Sequence, residues 1–398
     1  MIDLNLTPEQ LQLQKKAREF AESVIKPIVE KIDGSNNTNL SPWDFCQDIF
    51  RSGAKLGFTS LLLPPEYGGM AGKCIDFVLV QEELGAADVS IACSYFNLTG
   101  AMSLFIARVG TDEQKKRILS NITSGEPLLF SAAESEPNVA TSDMFCPIRD
   151  PQIGMKTFAR RDDNEYVLNG SKSCLVTNAG IADGYFILAR TSKEKPLPES
   201  MSMFYLPADT EGLNFGKRTE MIGWKASHHA ELYLNDVRVS KENLIGVEGQ
   251  AGQLLMLLPE VAIGLAASYL GLARAAYEYA LNYAKGRVSW GRPIIEHQAV
   301  ALKLADMMVN TQAARLMVWD AAVAADTNPQ LAATVKAPTA KTFAVDVAIK
   351  NAQTAVEILG GYGVLQEHPT GKFLADAWIG YSCDFTKDIL RLGLVNFM

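Results

Sequence analysis

The stretch EYVLNGSKSCLVTNAGIADGYFILAR, Glu165–Arg190, decides how the rest of the chain is read. It is rich in β-branched and aromatic residues and is broken by Gly, Asn and Asp, so it predicts short strands rather than a helix. Asn169-Gly170 falls between alternating apolar residues and predicts a hairpin turn. Two further runs, SMSMFYLPAD (200–209) and AELYLNDVRVS (230–240), extend the β-rich region across residues 125–240.

Outward from this segment the hydrophobic period changes to that of helices. Upstream, LTPEQLQLQKKAREFAESVIKPIVEKID (6–33) has Thr7 as N-cap, Pro8 at the first helical position and apolar residues at helical spacing. LLLPPEYGGMAG (61–72) is a loop stiffened by Pro64 and Pro65. DFVLVQEELGAADVSIACSYFNLTGAMSLFIARVG (76–110) predicts helix buried on several faces, and Thr111 opens another helix. Downstream, residues 252–288 and 296–326 are long Ala-rich periodic runs suited to a helix bundle. A third, residues 335–361, ends at Gly360-Gly361 as a C-cap.

A chain of 398 residues suits two or three packed domains. Its net charge of −8 and pI near 5.2 leave no basic stripe to anchor phosphates, so no nucleic-acid partner is expected. The six cysteines are scattered without metal or redox spacing, which predicts no metal site and a reducing compartment. The first residues lack the basic and apolar regions of a secretory signal, and no run reaches about 18 uninterrupted apolar residues. The expectation is a cytoplasmic protein without a membrane span.

Several strings, in this order, resemble those of the acyl-CoA dehydrogenase family: LPPEYGG (63–69), GTDEQKKRIL (110–119), SEPNVATSD (135–143), MIGWKASHHAELYLNDVRVSKENLIG (221–246), GRVSWGRPIIEHQAVALKLADM (286–307) and AVEILGGYGVLQEHP (355–369). The resemblance runs from LTPEQ (6–10) to ILRLGL (389–394). It implies an α+β multidomain fold: an N-terminal α-helical bundle (1–124), a middle β-barrel-like domain (125–240) and a C-terminal four-helix bundle (241–398). It also implies a homotetramer with FAD between the middle and C-terminal domains, its adenine end touching a neighbouring subunit. An acyl-CoA thioester then lies against the flavin, a carboxylate removes its α-proton, and the β-hydride passes to flavin N5. Electrons leave to an electron-transferring flavoprotein. Because a thioester α-proton is barely acidic, the base needs a dry site that stabilises an enolate-like transition state.

Residue by residue, the resemblance places Ser135 on the flavin ring and Ser142 on the cofactor or thioester, in a loop one residue longer than the family's, with Asn138 and Ala140 for glycines. Val176 and Thr177 fit the family's flavin-contact strand, Thr177 as a donor to the ring, while Leu175 stands where Trp is usual. Arg287 is expected on the FAD pyrophosphate of an adjacent subunit, Trp290 packed on the cofactor, and Gln298, beside His297, at a further contact. Gly360 and Gly361 allow close backbone approach to FAD. Glu357 replaces the family's Gln, and a carboxylate there must be turned away or paired.

The tail, WIGYSCDFTKDILRLGL (378–394), carries the catalytic question. From the residues alone, Asp384 is either a helix N-cap or an acid set against a buried substrate. The family tail reads Tyr-Glu-Gly-Thr-Ser with Glu as base, which puts Asp384 on that Glu, Cys383 on the Tyr and Phe385 on the Gly; Thr386 and Asp388 fall at FAD contacts. The base of some branches, on the long helix, corresponds to Val261, with Ala262 at the following Arg; Glu260 is one residue early, a rotation of about 100°. An Asp in place of Glu resembles branches acting on alicyclic acyl-CoAs and the nitroalkane oxidase branch. The expected activity is FAD-dependent α,β-dehydrogenation of a bulky or alicyclic acyl-CoA, such as cyclohexane- or cyclohexene-carboxyl-CoA, with Asp384 as base. The alternatives are a nitroalkane oxidase-like flavin oxidase or monooxygenase, and a catalytically silent acyl-CoA-binding scaffold.

Overall fold

The computed structural model describes residues 5–33, 42–123, 128–145, 148–255 and 258–395. Helices fill both ends of the chain and a mixed sheet fills the middle, as the change of hydrophobic period predicts. The first helix, Pro8–Phe20, starts where the local chemistry places it. Thr7 accepts the Gln10 N–H, and the Gln10 side chain returns to the Thr7 N–H at 3.0 Å. Thr111 and Gln114 make the same reciprocal cap for Asp112–Leu119.

The helical run Val89–Val109 is long and apolar enough to cross a bilayer, but it is 94% buried within the protein. Its stretch Ala92–Asn97 is π-helical. Glu82 and Glu83, on the helix Cys74–Ala87, are buried and tie this domain to the C-terminal helices. Arg274 bridges both, Arg315 reaches Glu82 at 2.6 Å, and Arg18 reaches Glu83 at 2.8 Å. Unpaired, either carboxylate would be a costly buried charge.

The sheet contains β1 (Phe130–Ala133), β2 (Phe158–Asp162), β3 (Glu165–Thr177), β4 (Gly184–Arg190), β5 (Met201–Pro207), β6 (Leu213–Arg218), β7 (His229–Ser240) and β8 (Leu244–Ile245). The order is β6-β7-β3-β2-β4-β5-β8, with β1 parallel to β4. The hairpin expected at Asn169-Gly170 is not there. Both residues lie inside β3, and the β2–β3 connection turns instead at Asp163, whose φ is +53°. Gly170 marks a register shift against β7. Its φ is +149°, and a Cβ there would stand 2.7 Å from Thr157 Cα, so glycine serves a bulge and a close backbone approach rather than a turn.

In the C-terminal domain, Pro259–Gly286, Gln298–Thr327 and Ala337–Leu359 are the long helices, and Thr370–Ile379 and Lys387–Val395 close the chain. Gly360, with φ +59°, terminates Ala337–Leu359 as expected.

Candidate active site

The tail builds the site first. The helix Thr370–Ile379 ends in a turn in which the Cys383 N–H donates to Ile379 O at 3.0 Å. The next helix is capped by Thr386, whose hydroxyl accepts the Ile389 N–H at 3.4 Å. Asp384 is therefore not the cap. It sits within the turn at φ +58°, a left-handed conformation that Asp tolerates better than most residues.

Lys341, on the helix Ala337–Leu359, holds that turn. Its side chain is buried, and its ammonium donates to the carbonyls of Cys383 and of Phe385, the latter at 2.7 Å. The backbone is thus gripped on both sides of Asp384.

Asp384 lines a cavity of about 1160 Å³ whose walls are mostly apolar. Burial pushes its pKa above the usual carboxylate range, against a downward pull from the Lys341 charge. Val261 and Ala262, the positions of the alternative base and its neighbour, line the same cavity but carry no acid. Glu260 is held by Arg108 at 2.6 and 2.9 Å, as the helical rotation predicts.

The β domain contributes Glu134, Ser135, Leu175, Val176 and Thr177 to the cavity, so the structure brings Ser135, Val176 and Thr177 together with Asp384. The Ser135 hydroxyl lies 2.8 Å from that of Ser173. Thr177 belongs to a directional chain of hydrogen bonds. Ser227 donates its one proton to Trp224 O at 2.7 Å, so it accepts from His229 Nδ1 at 3.2 Å. Burial, and then the charges of His228 and Arg218, push His229 down to about 4 and keep it neutral. Nε2 is therefore an acceptor, and the Thr177 hydroxyl donates to it at 3.2 Å. In this arrangement Thr177 offers the cavity lone pairs rather than the free proton expected of a ring donor.

Glu134 has no counterpart among the sequence candidates. It directly follows β1, and burial, reinforced by the negative charge of Asp384, pushes it up to about 7. The nearby ammonium of Lys172 is engaged elsewhere. It donates to the backbone carbonyl of Glu134 at 3.1 Å and to the carboxylate of Glu136 at 3.4 Å. Glu136 also accepts the Lys156 and Thr157 N–H groups. Among the described residues, neither the Glu134 nor the Asp384 carboxyl has a hydrogen-bond or ion-pair partner. The sequence carries one signal for Glu134, an extra acid immediately before SEPNVATSD. For Lys341 the signal is a lysine inside an otherwise small and apolar helical stretch.

The other expected contacts lie apart. Arg287 and Gly361 line a second cavity of about 550 Å³, where the Arg287 guanidinium lies 5.1 Å over the Tyr362 ring. Gly360 and Gly361 face open space, so packing within the subunit does not demand a missing Cβ at either. Trp290 is 93% exposed at the tip of a small hairpin and packs edge-on against His297. Gln298 begins the helix Gln298–Thr327 and is exposed. Glu357 is paired with Lys303, which resolves how a carboxylate is accommodated there. Thr386 is engaged as a cap, and Asp388 is exposed and accepts the Tyr381 hydroxyl proton at 2.5 Å; neither lines either cavity. The Ser142 side chain lies outside the described residues.

Comparison with known proteins bears on the whole chain. Models of the acyl-CoA dehydrogenase N-terminal, middle and C-terminal domains match residues 7–126, 135–237 and 253–394. An acyl-CoA dehydrogenase of Bacillus subtilis is 32% identical over 99% of both chains. The structure of butyryl-CoA dehydrogenase from Megasphaera elsdenii superposes with a TM-score of 0.88 at 31% identity, covering 100% of this chain and 99% of that one. A chain in a structure named for the electron transferring flavoprotein of Acidaminococcus fermentans matches with the same TM-score, identity and coverage. Three consecutive domain matches, a full-length relative and the shared fold together make this chain a member of the acyl-CoA dehydrogenase family.

Proposed function

We propose that this family member catalyses FAD-dependent α,β-dehydrogenation of a bulky or alicyclic acyl-CoA, with Asp384 removing the α-proton. One observation carries the assignment of the base: Asp384 is an acid with no hydrogen-bond or ion-pair partner among the described residues, on a held turn facing the main cavity, while the alternative position on the long helix is Val261. The raised pKa suits a carboxylate that takes a proton near neutral pH. Asp is one methylene shorter than Glu, so the substrate α-carbon approaches Asp384 more closely than it would approach a Glu. Phe385 and Cys383 reshape the wall beside it.

The residues present fit FAD. Hydroxyls of Ser135 and Thr177 reach the main cavity, Gly360 and Gly361 leave bare backbone, and Gly361 lines the second cavity with Arg287. When bound, FAD supplies the acceptor for the hydride that leaves the β-carbon. Ser142, Val176, Trp290, Gln298, Thr386 and Asp388 complete the proposed cofactor contacts. The exposed hairpin carrying Trp290 suits a contact between subunits, so a homotetramer is the proposed assembly. The match to a chain in a structure named for an electron transferring flavoprotein favours such a protein as electron acceptor.

Asp384→Asn tests the base. Asn keeps the shape but accepts no proton at neutral pH, so anaerobic single-turnover flavin bleaching should slow by about 100- to 10,000-fold while acyl-CoA binding survives. Bleaching at the parental rate would remove Asp384 from the mechanism.

A further inference from the structure

We propose that Glu134 is a specificity-determining residue of the same site, one that meets a hydrogen-bond donor on the acyl group. The preferred substrates are then alicyclic acyl thioesters carrying a ring hydroxyl or amine. This deepens the dehydrogenase reading above and rests on it.

The placement of Glu134 is the first ground. It lines the same cavity as Asp384 but comes from the β domain, at the residue before Ser135, whereas Asp384 comes from the tail. The second ground is that, among the described residues, its carboxyl has no hydrogen-bond or ion-pair partner, and the charge of Lys172 only partly offsets its burial. Lys172, the nearby cation, is spent on the Glu134 backbone carbonyl and on Glu136, and Glu136 is saturated by two backbone N–H groups besides. A structural acid would be paired, as Glu82, Glu83 and Glu260 are.

Two acids sharing a largely apolar cavity disfavour each other's charged form. An unsubstituted ring or alkyl chain that filled this space would seal the Glu134 carboxyl without a partner, which is unfavourable. A hydroxyl or ammonium on the acyl group satisfies it. An acyl group bearing its own carboxylate would add a third negative charge and is disfavoured. A separate observation also points to a polar acyl group. Ser94, in the π-helical stretch Ala92–Asn97, is 1% exposed and lines the cavity, yet its hydroxyl has no hydrogen-bond partner among the described residues. Such stretches often mark functional positions.

The test uses holoenzyme and three thioesters: cyclohexanecarbonyl-CoA and its ring-hydroxyl and ring-amine counterparts. Anaerobic flavin bleaching gives the rate, and spectral titration with the thioether analogues, which lack the activating carbonyl, gives Kd. The parent should favour a donor-bearing ring over the plain ring by about 10- to 100-fold. Glu134→Leu should abolish or invert that preference while still bleaching with the plain ring. Glu134→Gln keeps an acceptor but no charge, so it should retain part of a hydroxyl preference and lose an amine preference, which separates the two donors. Equal use of all three rings by the parent, or a preference that survives Glu134→Leu, overturns the proposal and leaves the dehydrogenase reading standing. If Asp384→Asn bleaches at the parental rate while Glu134→Gln bleaches with no thioester, Glu134 is the base and both assignments fall. A parent that bleaches with no thioester overturns the dehydrogenase reading and this proposal with it.

Discussion

Replacing Lys341 by Met isolates what holds the proposed base in place. Met matches the length of the lysine stem but removes the ammonium that donates to the carbonyls of Cys383 and Phe385. Hydrogen bonds to a charged group contribute about 1.5–3 kcal/mol each, and part of that is offset because a buried ammonium no longer has to be desolvated. A net stability loss of about 1–3 kcal/mol is expected. The larger effect should be kinetic, because the turn holding Asp384 in a left-handed conformation loses both anchors. Displacing a catalytic group by about 1 Å can slow reaction by roughly 100-fold. The Lys341 charge also pulls the Asp384 pKa down against burial, so its removal lets that pKa rise. The active form is the carboxylate, so activity falls as pH drops through the folded-state pKa, and the acid limb should move to higher pH in Lys341→Met. The assay is the anaerobic flavin-reduction rate across pH 5–9, with FAD content and acyl-CoA affinity measured in parallel. Lys341→Arg, which keeps the charge and donors, should recover part of the rate. A Lys341→Met protein with the parental rate and an unmoved acid limb would refute the positioning role.

Three further outcomes are expected. Glu134, raised to about 7 from an unfolded value of 4.5, stabilises the fold below about pH 4.5 relative to neutrality, and that contribution is lost as pH rises through 7. Glu134→Gln should therefore gain up to about 3 kcal/mol over the parent at pH 8 and little at pH 4.5, read by chemical denaturation. Arg287→Ala should weaken FAD retention by about 10- to 150-fold on dialysis, the loss of one charge-assisted contact; unchanged retention would remove Arg287 from the cofactor site. Gly170→Ala should lose about 1–3 kcal/mol in thermal unfolding, because its Cβ would press on Thr157 where the backbone cannot easily yield.

What the sequence determined by itself was the information carried by neighbours in the chain. Thr7 and Thr111 cap helices because each has a Gln three residues on, and Gly360 ends a helix because it alone enters a positive φ there without strain. The hydrophobic periods were enough to read helix, sheet and helix in order, and Glu260 could be rotated away from the site by counting residues. The tertiary structure decided wherever a residue's partner comes from elsewhere in the chain. Asn169-Gly170 has the composition of a turn, but the approach of Thr157, just before β2, makes it a bulge. Glu357 is tolerable because Lys303 crosses from another helix to meet it. Asp384 is released from capping because Thr386 takes that task, and it is fixed because Lys341 reaches it from a different helix. Glu134 left only the trace of an acid before SEPNVATSD, since a lone acid in sequence shows neither the cavity it faces nor the second acid it meets there. Local conformational preference is a property of a few adjacent residues. Charge burial, and the absence of a partner, exist only once distant segments have packed together.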